Sequence, residues 1–287
     1  MNDPASVQSI LFWVARRIGL APDGDNANLD PDKALEILGF IDDRLREGWD
    51  IYDFVEIVSV EERAYRDDYD PAKCYNQGDI VWDWTTRAYY QALLTQTGGP
   101  LSNPSAWTTN PNVAPKWIAY QQTGKNRIGT CFGAWTKNPY EDNTTRRIQF
   151  VPSNRGLEFT RSFNAGSTAW LVYRRPYPGI AQAEWDAATI YSIGEEVYQA
   201  PDSWISLVDS NQAQDPSVSP EAWANFRVPY PMVRYVRQAA YADTLVVDGQ
   251  NEKAPAELSA AYAFLQQAFD QQTIQQGQRE NWQGYAR

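Results

Sequence analysis

The chain carries one phrase twice, and that repetition limits its architecture more than any other feature. The first copy runs Tyr69-Asp70-Pro71-Ala72-Lys73-Cys74-Tyr75, then Gly78-Asp79-Ile80-Val81, then Pro100 and Ala106-Trp107. The second runs Trp185-Asp186-Ala187-Ala188-Thr189-Ile190-Tyr191, then Gly194-Glu195-Glu196-Val197, then Pro216 and Ala222-Trp223. Tyr75 and Tyr191 each precede a closing tryptophan, Trp107 or Trp223, by 32 positions, so the copies align at an offset of 116 residues with no gap expected. Each copy reads as a small three-stranded unit. Gly78 and Gly194 give the backbone freedom for a turn into a strand. Tyr89, Tyr90 and Ala92 fall in the next strand of copy one, and Trp204, Ser206 and Val208 alternate in that of copy two.

A unit of roughly 45 residues has little core, so a few large rings must supply it. The chain is rich in them, with 12 Trp, 17 Tyr and 10 Phe. The Tyr-x-x-Gly-Asp-x-Val turn, the Tyr89-Tyr90-Gln91-Ala92 strand and the closing Ala106-Trp107 resemble the small chitin-binding type of carbohydrate-binding module. That resemblance implies exposed aromatic rings that stack on sugars. Trp82, Trp84, Tyr89 and Tyr90 are the candidates in copy one, and Tyr198 and Trp204 in copy two. The alternative is that these rings pack within the unit or within a larger assembly.

Both ends of the chain read as helical. After the start signal Asp3-Pro4, Val7, Ile10, Leu11, Val14 and Ile18 recur at helical spacing, and Gly19 is a stop. A polar loop, 21–29, follows. Asp30-Pro31-Asp32 then provides a cap with proline at the first helical position. Ala34, Leu38, Ile41 and Leu45 form one apolar stripe, with Gly48 expected to end the helix. Asp42, Asp43, Arg44, Arg46 and Glu47 read as its solvated face. Near the other end, Pro231 opens a helix to about Leu245, with Tyr235, Ala239 and Ala242 along one face. Asp248-Gly249 turns the chain, and Leu258, Tyr262, Leu265 and Phe269 repeat the stripe in a last helix from about Ala254. Beyond Asp270 the sequence is glutamine-rich with little apolar face, so it is either frayed or ordered by a partner.

Between the copies, 116–120, 127–135, 147–151, 156–160 and 168–173 read as strands, the last two joined by an Asn164-Ala165-Gly166-Ser167 turn. Short strands in succession suggest an antiparallel sandwich or barrel-like sheet. The Arg146-Arg147 and Arg174-Arg175 pairs read as sheet-edge charges, with contact to a partner's carboxylates as the other option. The expected fold is therefore α+β: a terminal four-helix bundle of two N-terminal and two C-terminal helices, a central antiparallel β domain and two small three-stranded β modules. The expected divisions are 1–66, 67–115, 116–182, 183–227 and 228–287.

Composition removes many chemistries. With no histidine, imidazole bases, Ser-His and Cys-His dyads and histidine metal ligands are excluded. Two cysteines, Cys74 and Cys131, are too few for a zinc site and support no disulfide framework, which points to a reducing compartment. There is no phosphate-cradling loop with a following Lys-Ser/Thr and no Gly-x-Ser-x-Gly elbow. Glu61-Glu62 and Glu195-Glu196 are adjacent, so neither pair can oppose across a cleft as a glycosidase requires. No enzymatic activity, cofactor or metal is expected. The formal net charge of −11 argues against binding nucleic acid by phosphate neutralisation. The start, Met1-Asn2-Asp3-Pro4, lacks a basic region and a small-residue cleavage site, so no secretion signal is expected, and the Asn143-Thr144-Thr145 sequon carries no meaning without one. No apolar run is long enough for a membrane span.

The order helical pair, β insertion, helical pair organises the whole chain. The phrases Ala34-Leu35-Glu36-Ile37-Leu38-Gly39-Phe40-Ile41, Gly48-Trp49-Asp50-Ile51-Tyr52-Asp53-Phe54 and Val60-Glu61-Glu62-Arg63 precede the insertion. Val228-Pro229-Tyr230-Pro231, Ala239-Ala240-Tyr241-Ala242-Asp243 and 248–254 follow it. Together these resemble tailed-bacteriophage head-to-tail adaptor proteins, the family that includes tubular tail protein A of short-tailed phages. The duplicated modules depart from the shortest adaptors. The resemblance implies a virion structural protein of the neck or tail, made in the host cytoplasm. It implies a ring, usually of twelve subunits, beneath the portal protein, with a tail, neck or fibre protein on its other side and DNA passing through unbound. Gln271, Gln275, Gln278, Arg279, Trp282 and Tyr285 would then belong to a portal-binding C-terminal extension, with Trp282 as its anchor. The alternative function is glycan binding through the paired aromatic modules.

Overall fold

A computed structural model describes residues 5–20, 29–110, 112–122, 125–159, 166–180, 184–199 and 202–285, with side chains described through residue 274. The start signal Asp3-Pro4, the loop 21–28 and the turn residues Asn164-Ala165 lie outside them. The protein is α+β, with four α-helices and many small antiparallel sheets among the described residues. It divides into two compact units, 1–57 with 177–287, and 58–176.

The first unit contains every helix found among the described residues. Ala5–Ser6 pairs with Arg227–Val228, joining the start of the first helical segment to the start of the second. Ser6 caps helix α1, Val7–Arg17, by accepting from the Ser9 amide at 3.2 Å. Val7, Ile10, Leu11, Val14 and Ala15 are buried, the stripe set by a 3.6-residue period. Helix α2, Pro31–Ile51, starts at Asp30, whose carboxylate accepts from the Asp32 amide at 3.0 Å. Gly48 does not end this helix. It lies inside it, where a Cβ would stand 2.9 Å from the Tyr235 ring. Helix–helix approach, and not chain termination, is what the glycine serves. Helix α3, Tyr230–Val247, and helix α4, Ala254–Tyr285, are joined by a turn in which Gly249 takes φ +75°. Ile10, Val14, Ile37, Ile41, Leu45, Met232, Tyr235, Val236, Ala239, Ala261 and Leu265 form one core from all four helices. Phe269 of α4 stacks on Tyr52 at 4.4 Å between centroids and meets Phe54 edge-on at 6.2 Å.

The second repeat belongs to this same unit. Its sheet, Glu196–Gln199, Asp202–Ser206 and Trp223–Asn225, presses Ile205 onto the helical core, and Phe226 and Val228 just beyond it are part of that core.

The second unit is β throughout its regular structure. A four-stranded antiparallel sheet has the order Arg147–Ile148, Thr130–Trp135, Thr168–Arg174, Val58–Ala64. Val58–Ala64, which the expected division 1–66 grouped with the N-terminal helices, is a strand of this unit. Its seven residues pair in full with Thr168–Arg174. The stretch 147–151 is not one strand. Arg147–Ile148 pairs with Thr130–Trp135, whereas Val151–Ser153 joins a second sheet with Gly156–Glu158 and Trp117–Ile118. Both sheets line one core of Ile118, Ile128, Ala134, Ile148, Leu157, Ala169, Leu171 and Tyr173. Arg63 is wholly buried beside it. Its Nη2 lies 2.9 Å from the Tyr173 hydroxyl and 2.8 Å from Glu61 Oε2, and also reaches the Asn126 carbonyl. Glu62 points the other way, to Arg87 at 2.6 Å, so the adjacent carboxylates are separated by the period of two.

Candidate functional site

The two repeats share one hydrogen-bond frame. Gly78 donates to the Ala92 carbonyl and Gly194 to that of Ser206, each at 2.8 Å. Leu93 donates to Ala106 at 2.9 Å, and Leu207 to Ala222 at 2.8 Å. The Asp70 amide donates to the Tyr75 hydroxyl at 2.7 Å, and that of Asp186 to Tyr191 at 2.8 Å. In both copies the tyrosine meets the closing tryptophan edge-on, with centroids 5.3 Å apart, at 74° for Tyr75 and Trp107 and 69° for Tyr191 and Trp223. These rings are the small cores that the short units require.

The alignment is not gapless. Asp83 pairs with Ala88 across a four-residue connection in copy one, while Gln199 pairs with Asp202 across two residues in copy two. The two missing residues are restored one at a time further on, where Gln96–Thr97 and Asn211–Gln212 occupy equivalent places and Trp107 and Trp223 regain the offset. Tyr89, Tyr90 and Ala92 therefore correspond to Ser203, Trp204 and Ser206.

The candidate contact rings fall in different surroundings. Trp82 is 1% and Tyr89 5% exposed, so neither presents a face to a ligand, and both are corrected to core residues. They pack on each other at 4.6 Å and on Ala64, Tyr65 and Ala169. The Tyr89 hydroxyl accepts from the Tyr65 amide at 2.8 Å and donates to the Ser167 carbonyl at 2.5 Å. Burial pushes the Tyr65 and Tyr89 phenols well above their ordinary value. Trp84 is half-buried, with Lys125 Nζ 4.9 Å and the Arg87 guanidinium 5.6 Å from its ring. Tyr90 is half-buried over its module's core, its hydroxyl 3.3 Å from Thr86 Oγ1. Tyr198 is half-buried opposite Ser203, and Trp204 is half-buried against the Tyr191 and Trp223 cluster.

Of the C-terminal residues, Gln271 is exposed on α4. The α4 backbone continues through Gln275, Gln278, Arg279, Trp282 and Tyr285, whose side chains lie outside the described residues. Ile274 is 61% exposed.

Of the five charges expected on a solvated face of α2, Asp43 and Arg46 are exposed, but Asp42, Arg44 and Glu47 are tied into polar contacts with the rest of the unit. Arg44 holds Asp243 with two bonds, Nε at 2.7 Å and Nη2 at 2.6 Å, and Glu47 at 2.6 Å. Glu47 also accepts from Tyr235 at 2.8 Å and from Tyr262. Burial alone would raise the Glu47 carboxyl, but the two hydroxyls and Arg44 hold it below the ordinary range. Asp42 accepts from the Tyr177 hydroxyl at 2.7 Å and the Ile180 amide at 2.8 Å, fastening the incoming chain to α2. The sequence signal was present only as Arg44 and Glu47 at a spacing of three, since Asp243 is far off in the chain. Beside the network, Phe40, Asp43, Val246 and Val247 line a shallow groove of about 310 Å³.

No cluster of three or more metal-binding side chains occurs among the described residues, and no described helix is long and apolar enough to cross a membrane. Both cysteines are free, and burial pushes the Cys131 thiol up to about 11, which disfavours the reactive thiolate. Arg147 donates to the Phe132 carbonyl at 2.9 Å and Arg174 to Thr130 at 3.4 Å, so these two basic residues are tied to their own sheet. The chain matches no protein-family model and no curated protein.

Proposed function

We propose that this protein is a virion head-to-tail adaptor: a ring-forming structural protein, with no enzymatic activity, that joins a portal protein to the next tail, neck or fibre protein and lets DNA pass. The observation that supports this reading is the core shared by α1 and α2 with α3 and α4, around a β unit inserted between them in sequence. In this reading the four helices act as one bundle that packs side by side in the ring. The segment of α4 beyond Phe269, where core packing ends, is the portal-binding extension. A negative lumen would let DNA slide without sticking, the converse of counterion release. The test is native mass, alone and after mixing with the portal ring from the same source. Loading in a multiple that matches the portal's symmetry, lost when the chain is cut before Gln271, supports the adaptor. Failure of the folded full-length chain to associate overturns it.

A second reading, glycan contact through the repeats, is favoured by the half-exposed rings of Tyr198 and Trp204 on copy two. It is compatible with the first if the modules face outward. Trp204→Ala would then remove sugar binding and leave the fold intact.

A further inference from the structure

The four-stranded sheet of the β unit carries large apolar residues on both faces. Ala134, Ile148, Leu171 and Tyr173 point into the core. The period of two turns their neighbours the other way: Trp135 stands directly opposite Trp170, and Val60 directly opposite Val172. An antiparallel sheet with one solvated face alternates apolar residues with polar ones, and this outer face does not follow that rule. Trp135, Trp170 and Val60 are half-buried. The Trp135 ring lies over Gly133, where a Cβ would collide with it. Arg147, directly opposite Trp135, is exposed; its guanidinium sits 5.9 Å from that ring and donates to the Phe132 carbonyl. Arg174 lies at the far end of the same face, opposite Val58. Glu62, the acid on this side, is held by Arg87. The face is therefore aromatic and aliphatic at its centre and cationic at its margins.

The charges of the chain are segregated in the same sense. Residues 116–176 hold 10 Lys/Arg against 3 Asp/Glu, whereas the unit 1–57 with 177–287 holds 11 against 26. A groove in that acidic unit, the one between α2 and α3, has the matching character. Val246 and Val247, each 52% exposed, line it with Phe40, and Asp43, Glu47 and Asp243 line it too. Arg44, which also borders it, is already held by Asp243 and Glu47. Asp43 is exposed. The groove thus offers apolar surface within an excess of negative charge, and the sheet face offers apolar surface within positive charge.

Each surface exposes apolar area that burial would stabilise, and each repels its own kind. The geometry points to the two as halves of one contact between copies of this chain: the outer sheet face of one copy, with Trp135, Trp170 and Arg147, seats on the acidic groove of α2 and α3 in the next. Aromatic residues and arginine are the side chains enriched in such contacts. The pairing brings opposite charges together, which fixes the orientation and suppresses like-to-like association. Two different patches make the contact heterologous, so each copy keeps one free half for a further copy. A nucleic acid would use the arginines and stack on the indoles, but it would leave Val58 and Val60 uncovered and approach a chain of net charge −11. The inference rests on the ring reading and adds to its helical packing a contact made by the β unit.

The test follows the native mass of the full chain from about 1 µM to about 0.5 mM in about 50 mM salt, alone and with the portal ring from the same source. The expected result is concentration-dependent assembly, weakened at least tenfold by Arg147→Glu and by Asp43→Arg, each of which replaces an exposed side chain. An equimolar mixture of the two variants should regain it, because every sheet face then finds a groove of opposite charge. Damage to the fold would not be repaired by mixing. Assembly, free or on the portal, that either change leaves at the parent level overturns this contact and leaves the ring reading standing. Weakening that mixing does not restore overturns it in the same way. No assembly in either setting overturns both. A single-stranded DNA of about 20 nucleotides is added in a separate titration. Binding that Arg147→Glu removes while assembly stays at the parent level would assign the face to nucleic acid and overturn the contact between copies.

Discussion

The two repeats have the same frame and opposite attachments. In copy one, Trp82 and Tyr89 turn outward from the module's small core and become part of the larger core of the β unit. In copy two the same places are held by Tyr198 and Ser203. Ser203 Oγ donates to the Ile180 carbonyl at 2.9 Å, and Ile205 meets the helical core. Ile80 in the first copy is Glu196 in the second. The inner face keeps rings at Tyr75 and Tyr191, Tyr90 and Trp204, and Trp107 and Trp223, and changes toward the hairpin at Asp83 and Gln199, while the outer face changes with whatever each module packs against. A duplicated unit of this size therefore keeps a small ring core and adapts the side by which it is attached. The hairpin is where the copies differ in length, and the longer one in copy one packs Trp84 against the core of the β unit.

The largest effect should come from the shared side. Trp107→Ala and Trp223→Ala each remove the principal ring of a module core and should cost about 3–5 kcal/mol in urea unfolding. Trp223 also donates its indole N–H to the Gln214 carbonyl at 2.8 Å, whereas the Trp107 nitrogen has no partner among the described residues. Copy two should therefore lose about 1 kcal/mol more. Equal losses would break the claim that the closing tryptophans differ in this bond.

Next come the attachments. Tyr89→Phe leaves the Tyr65 amide and the Ser167 carbonyl without their shared hydroxyl and should cost about 2–3 kcal/mol. Ser203→Ala leaves one carbonyl unpaired and should cost about 1 kcal/mol. If the serine change proved the costlier, the outer face of copy two would be the more deeply committed of the two, contrary to the burial of Trp82 and Tyr89.

A pH series sharpens the same contrast at Ile80 and Glu196. Burial pushes the Glu196 carboxyl up to about 8, with Glu195 adding to the shift. A carboxyl whose folded value lies above its unfolded one stabilises most where it is protonated in both states, and that stability is lost as pH rises from the ordinary glutamate range through about 8. Glu196→Gln should thus stabilise the protein at pH 9 and change little at pH 4. Its partial exposure limits the gain to about 1–2 kcal/mol. Thermal melts at both pH values measure it, and an equal effect at the two would show that the carboxyl titrates normally.

Much of this arrangement is legible in the sequence because it is local. The turn glycines, the Tyr and Trp spacing and the apolar stripes of the four helices follow from backbone geometry and periodicity alone. What is hidden is tertiary. Gly48 has the composition of a stop, yet its role is set by a ring of α3 far along the chain. Val58–Ala64 carries Glu61, Glu62 and Arg63 in a row, and nothing local says that Arg63 is buried against Tyr173. Arg44 and Glu47 of α2 look solvated because Asp243, Tyr235 and Tyr262, which occupy them, come from far along the sequence. The difference between the hairpins is masked by arithmetic: one two residues shorter and two later single-residue insertions leave the spacing of the landmark residues unchanged.

The smallest effect lies in the hairpin itself and tests what holds the longer version. Arg87 sits in the left-handed region at φ +51°. Its guanidinium meets Glu62 at 2.6 Å with the side chain 57% exposed, and lies 5.6 Å from the Trp84 ring. Arg87→Gly relieves a backbone cost of about 1 kcal/mol. It gives up a surface ion pair and a cation–π contact of about that size together, and adds freedom to the unfolded chain. These offset one another, so the net change should stay within about 0.5 kcal/mol in chemical denaturation. That outcome leaves the bonds that Asp83 accepts from the Thr85 amide, the Thr86 amide and Thr86 Oγ1 as the feature that closes the hairpin of copy one. A loss above about 2 kcal/mol would make the Arg87 contact with Glu62 the anchor instead. The two hairpins would then differ because one is tethered to a neighbouring strand, not because one supplies its own donors.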